Sequence, residues 1–174
     1  MDATHLHLLL NHLPILGTLF GICLLTYGLL GKNKSLENAG LITLVIIALL
    51  TIPAFLTGEG AEETVEHLQE VSEPYIEAHE DLAGVAFWLM MATGVMALFT
   101  FFVSTMRNNR NIILKIITVL LAVGTFVIMI MVGNYGGKIR HSELRKQSVI
   151  HINGNKNHNE FRYLYGYCLL SNQR

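Results

Sequence analysis

Four apolar runs, each about twenty residues long, constrain this chain more than any other feature. They cover Leu6–Gly31, Ala39–Gly58, Leu82–Val103 and Ile112–Gly133. Each exceeds the about 18 residues at which such a run reads as a membrane-crossing helix. Across all 174 residues the chain is 52% apolar and 14% charged, against roughly 25% charged in a soluble domain. The net charge of −1, with no sustained Lys/Arg cluster, excludes a nucleic-acid binder. Two cysteines, Cys23 in an apolar run and Cys168 near the C-terminus, argue against a disulfide framework. The first run lacks the charged start and small-residue cleavage site of a secretory signal.

The expected fold is therefore all-α: an up-down-up-down bundle of four transmembrane helices over residues 1–142, with a polar tail over 143–174. Both termini then lie on one side. Gly31–Lys34 and Arg107–Arg110 are short basic links, whereas Glu59–Asp81 holds nine acidic residues and no Lys or Arg. Short basic links favour the cytoplasm, which places the acidic segment and the termini outside. Within that segment Ala61, Val65 and Leu68 recur at helical spacing, which predicts a short amphipathic connector helix on the membrane surface. Ser72-Glu73-Pro74 reads as the start of the third helix.

The eight histidines are the most informative feature. His5, His7 and His12 open the first helix. His67 follows the second, His79 opens the third and His141 follows the fourth. In an antiparallel bundle these six share one rim, and the opposite rim has none; His151 and His158 lie in the tail. Ionisable residues at membrane depth usually face the bundle interior or a bound group. His7 and His12 are five residues apart, so they diverge by about 140° and face different neighbours. Below His7 run Asn11, Pro14, Thr18 and Gly21; below His79 run Ala83, Ala86, Met90, Thr93 and Ala97. Small residues there either bring helices close, as Gly17 and Gly21 also do, or leave room for a flat macrocycle.

Two imidazoles at one depth on facing helices suit a low-spin, electron-transferring haem. The expectation is one or two haem b groups, with His12 paired to His79, and His7 to His141 if there is a second. The other ring nitrogens need polar partners, and Asn11 is a candidate. Gly136-Gly137 is expected to turn the chain sharply after the fourth helix. Lys138 and Arg140 would then reach over the bundle mouth, to haem propionates or to Glu59–Asp81.

His7-x-x-x-Asn11-His12-Leu13-Pro14-Ile15, His79 opening a third helix and Gly136-Gly137-x-x-x-His141 after a fourth resemble one bacterial family. It is the four-helix membrane family catalogued as domain of unknown function 2231, and the likeness covers about residues 5–142. Two departures are Leu8, where a proline commonly follows the first histidine, and a long Glu-rich connector. Some members resemble cytochrome b-like modules and occur fused to Rieske or cytochrome c domains. The resemblance implies membrane redox work, with His7, His12, His79 and His141 as the matching positions. Because the chain carries no fused redox domain, the electron partner would be a separate protein or a quinol. The expected setting is the bacterial inner membrane, with the histidine-rich rim outside.

Two other functions compete. Non-haem zinc or copper binding or transport would use His5, His7, His67 and the carboxylates. A structural subunit of a respiratory assembly would use its histidines only to bond backbone at the bundle mouth. A hydrolytic enzyme is disfavoured, for the chain has no Gly-x-Ser-x-Gly elbow, phosphate loop or His-Glu-x-x-His helix.

Overall fold

The computed structural model describes His7 and residues 10–66, 73–106 and 111–140. The described residues are all helical or in short links, in four helices: α1 (His12–Leu30), α2 (Lys34–Glu66), α3 (Glu73–Met106) and α4 (Ile112–Arg140). All four are long and apolar enough to cross a membrane. Residues 1–140 make one unit, and the second, 141–174, lies outside the described residues. The helices pack as a ring in which α1 meets α2 and α4, and α3 meets the same two. Thus α1 faces α3 diagonally, and the start of each odd helix shares a rim with the end of each even one.

Two expectations need correction. Ala61 and Val65 lie on α2, which runs unbroken to Glu66, so no separate connector helix begins there; Leu68 lies outside the described residues. Hydropathy measures the stretch that suits lipid, and a helix continues past it wherever its backbone bonds close internally. The Gly136-Gly137 turn is absent, because α4 passes through both glycines to Arg140 and no described glycine has a positive φ. The real break is between α1 and α2, where Lys32 takes a φ of 52°. There the Asn33 side chain accepts the backbone N–H groups of Ser35 and Leu36 at 3.0 and 3.3 Å, capping α2.

The interior mixes hydroxyl side chains with apolar ones such as Leu25, Leu41, Leu44 and Met90, while the outside carries many large apolar side chains. Thr18, Thr51, Thr93, Thr100, Thr118 and Thr125 are buried, while Leu16, Phe20, Trp88 and Ile113 are exposed. Large apolar side chains on the outside suit a multi-pass membrane protein. Glycine brings α1 against α2. A Cβ at Gly28 would stand 2.6 Å from the Glu37 backbone nitrogen, and one at Gly40 2.5 Å from that of Leu25. Between α3 and α4 hydroxyls do the joining, with Thr93 bonded to Thr125 at 2.9 Å and Thr100 to Thr118 at 3.0 Å.

The two hairpins share one plan. The buried stripe of α1 is Pro14, Thr18, Gly21, Leu25 and Gly28. Seventy-two positions later, buried residues of α3 are Ala86, Met90, Thr93, Ala97 and Thr100. On the even helices the offset is 78: Glu37, Gly40, Leu44, Ile47 and Thr51 correspond to Lys115, Thr118, Ala122, Thr125 and Met129, all buried. Residues that touch their own counterparts mark an approximate two-fold axis along the bundle. Thr18 lies 3.5 Å from the Met90 sulfur, and Lys115 is ion-paired with Glu37.

Candidate functional site

At the histidine rim, the inward stripe of α1 continues upward through Asn11 to His7, whose carbonyl accepts the Asn11 N–H at 2.8 Å. The His7 Nδ1 lies 3.1 Å from the Ala54 carbonyl oxygen of α2. The His79 Nδ1 lies 3.0 Å from the Val132 carbonyl oxygen of α4. A carbonyl only accepts, so Nδ1 carries the proton in both rings, and in neutral imidazole Nε2 is the bare nitrogen. Among the described residues neither Nε2 has a hydrogen-bond partner.

Each ring also rests on a glycine one turn beyond its carbonyl. A Cβ at Gly58 would stand 3.5 Å from the His7 Cε1, and one at Gly136 would stand 3.1 Å from the His79 Cε1. His7 and His79 are 72 residues apart, and both Ala54–Val132 and Gly58–Gly136 are 78 apart. The same unit of histidine, carbonyl and glycine is therefore built twice, once in each hairpin. Gly136 serves the ring of His79 rather than a turn.

The axis also brings these two imidazoles into electrostatic range of one another. His12 is exposed, about 100° round α1 from the Asn11 stripe. His7 and His79 thus hold corresponding positions in the two hairpins, whereas His12, expected to pair with His79, is exposed. His141, the expected partner of His7, lies outside the described residues, as do His5, His67 and the Arg140 side chain. Lys138 is engaged locally, its ammonium 5.3 Å from the centre of the Tyr135 ring, which in turn lies 6.3 Å from that of Tyr75. Asn11 does not partner either imidazole, since backbone carbonyls fill that role. Its Oδ1 is buried and without a hydrogen bond.

Two imidazoles, each with Nδ1–H donated to a carbonyl and Nε2 without a hydrogen-bond partner among the described residues, form a donor set that suits axial ligation of haem iron. The carbonyl bond fixes the tautomer and the ring plane and strengthens the nitrogen as a ligand. Among the described residues no three His, Cys, Asp or Glu side chains converge, so a non-haem centre with three protein donors draws no support from them. Eleven residues below each histidine, Thr18 and Met90 meet, and Met129 closes the layer with its sulfur 3.8 Å from the Thr18 hydroxyl. That layer is buried and lies beneath the two histidines.

At the opposite rim, Lys115 is 2% exposed and Glu37 is fully buried. Lys115 stands inside the fourth apolar run and Glu37 in what reads as a link, so neither attracts notice in the sequence as half of a pair. A lysine inside a span was the available signal, because it demands a partner. Set against protein families, curated proteins and solved structures, the chain matches none of them.

Proposed function

We propose that the chain is a membrane-embedded electron-transfer protein in which His7 and His79 hold one haem b through their Nε2 atoms. It serves as a carrier or as a redox subunit of a respiratory assembly. The observation that carries this reading is the twice-built unit: Nδ1–H on a carbonyl, ring on a glycine, Nε2 bare, and the two copies brought together across the axis. Bound there, haem supplies a reversible one-electron couple. The chain's own part is to orient both rings from rigid helices, hold their protons on Nδ1, and keep water out from below with Thr18, Met90 and Met129. Leu16, Phe20, Trp88 and Ile113 face lipid in a multi-pass fold. The basic links lie in the cytoplasm and the histidine rim outside, as in a bacterial inner membrane. A separate redox protein or a quinol exchanges electrons at that rim.

The test is a reduced-minus-oxidised absorbance spectrum of the purified protein with iron quantified per chain. The expected result is one haem per chain, lost in His7→Ala and in His79→Ala and retained in His12→Ala. Absence of a Soret band, or loss of haem in His12→Ala but not in His7→Ala, overturns the assignment.

The same carbonyl bonds favour a second reading, in which the imidazoles only brace each hairpin within a structural subunit. His7→Gln and His79→Gln would then lower the melting temperature of a protein that binds no haem at any stage.

A further inference from the structure

The two histidine units share a plan but hold their rings with unequal firmness. Among the described residues His79 has one acceptor, the Val132 carbonyl. A Cβ at Gly136 would stand 3.1 Å from the His79 Cε1 and 3.3 Å from its Nδ1. That ring is seated closely against the α4 backbone. For His7 the corresponding distances from Gly58 are 3.5 and 3.8 Å, which is ordinary contact.

The His7 ring also has a second acceptor beside the first. The Thr57 Oγ1 lies 3.5 Å from the His7 Nδ1, at the long end of a hydrogen bond. The Thr57 hydroxyl donates within its own helix, with the Pro53 carbonyl at 2.9 Å and the Ala54 carbonyl at 3.1 Å. What remains for the imidazole is a lone pair. A small swing of the ring therefore carries the Nδ1–H from the Ala54 carbonyl to the Thr57 oxygen without leaving it unbonded. The counterpart of Thr57, 78 residues on, is Tyr135, whose ring lies against Tyr75 and Lys138 instead.

A ring that trades one acceptor for another moves at less cost than a ring whose only hydrogen bond must break. Resting on the haem reading above, we propose that His79 is the fixed ligand and His7 the yielding one, with Thr57 the positioning residue that lets His7 give way. On release the His7 Nε2 keeps its lone pair, and a small ligand such as carbon monoxide takes the vacated position on the iron. No electron or proton changes hands in that exchange. One net hydrogen bond kept through the release favours it by about tenfold.

Two measurements on the full chain test this. In haem-free protein carrying isotope-labelled histidine, NMR should show the Nδ1–H of His7 exchanging with water faster than that of His79. Thr57→Val should slow the exchange at His7 and leave His79 unchanged. In ferrous, haem-loaded protein, carbon monoxide should bind at a rate set by imidazole release. That rate should fall about tenfold in Thr57→Val, return in Thr57→Ser, and hold in Tyr135→Phe on the His79 side. Equal exchange at the two rings, no carbon monoxide binding by the native protein, no slowing in Thr57→Val, or equal slowing in Tyr135→Phe overturns the proposal. With haem bound, those results strike the ligand roles alone. A native protein without a Soret band overturns the haem reading itself, and the ligand roles with it.

Discussion

Replacing Glu37 by glutamine would leave the Lys115 ammonium in the bundle without its counter-charge. With Lys115 2% exposed and Glu37 fully buried, neither group can turn to solvent without opening the rim. Breaking such a pair by removing one partner costs about 3–5 kcal/mol. For a chain of this size that lowers the melting temperature by about 6–20 °C. The axis makes a sharper test available. Because positions 37 and 115 are counterparts, Glu37→Lys/Lys115→Glu restores opposite charges across the same contact. The double exchange should recover more than half of the loss seen in either single exchange. The assay is thermal unfolding in detergent followed by circular dichroism, with size-exclusion chromatography confirming a single species. If Glu37→Gln melts within about 2 °C of the native protein, or if the double exchange melts no higher than the worse single, the pair does not hold the rim together as argued.

Two further predictions concern glycines. Gly136→Ala places a Cβ 3.1 Å from the His79 ring, tighter than an ordinary contact, whereas Gly58→Ala reaches only 3.5 Å from that of His7. Haem content should therefore fall in Gly136→Ala and hold in Gly58→Ala; equal spectra would contradict the role given to Gly136. Gly40→Ala presses on the Leu25 backbone at 2.5 Å, while Gly124 has nothing within 4 Å. Gly40→Ala should lose about 1–3 kcal/mol in a denaturation series, and Gly124→Ala should match or exceed native stability through better helix propensity.

The four long apolar helices and the shared rim of His7, His12 and His79 are legible in the sequence because both follow from length and alternation of direction. The helix ends are less so. Residues 59–66 are polar, yet they continue α2, since apolar length marks the stretch that suits a bilayer and not the limit of the helix. Gly136-Gly137 is ambiguous for a different reason: a glycine that lets a ring approach and a glycine that ends a helix are the same letter. His12 misleads because depth along a helix is readable without alignment, whereas facing depends on which stripe the neighbours cover. The inward stripe through Thr18, Gly21 and Leu25 leaves His12 outside. The repeat is concealed by having two offsets, 72 on the odd helices and 78 on the even ones. Few positions are identical at those offsets, among them His7/His79, Leu10/Leu82, Leu36/Leu114, Val45/Val123 and Gly58/Gly136.

That short set of identities bears on the choice between a ligating and a bracing role for the histidines. The two hairpins solve the same packing problem by different means. Where α1 and α2 approach through Gly28 and Gly40, α3 and α4 hold together through the Thr100–Thr118 hydrogen bond at the counterpart positions. Glu37 has become Lys115, and Thr18 has become Met90. Contacts that merely join helices have evidently tolerated exchange. If His7 and His79 only braced their own hairpins, a hydroxyl or an amide donating to the Ala54 or Val132 carbonyl would serve as well as imidazole. Nothing in bracing requires the same residue, on the same glycine, on both sides of the axis. A group bound through two opposite coordination positions is served by such a pair, because each ligand must come from its own side at matching depth. The repeated unit thus fits the proposed group held between the rings better than it fits bracing alone.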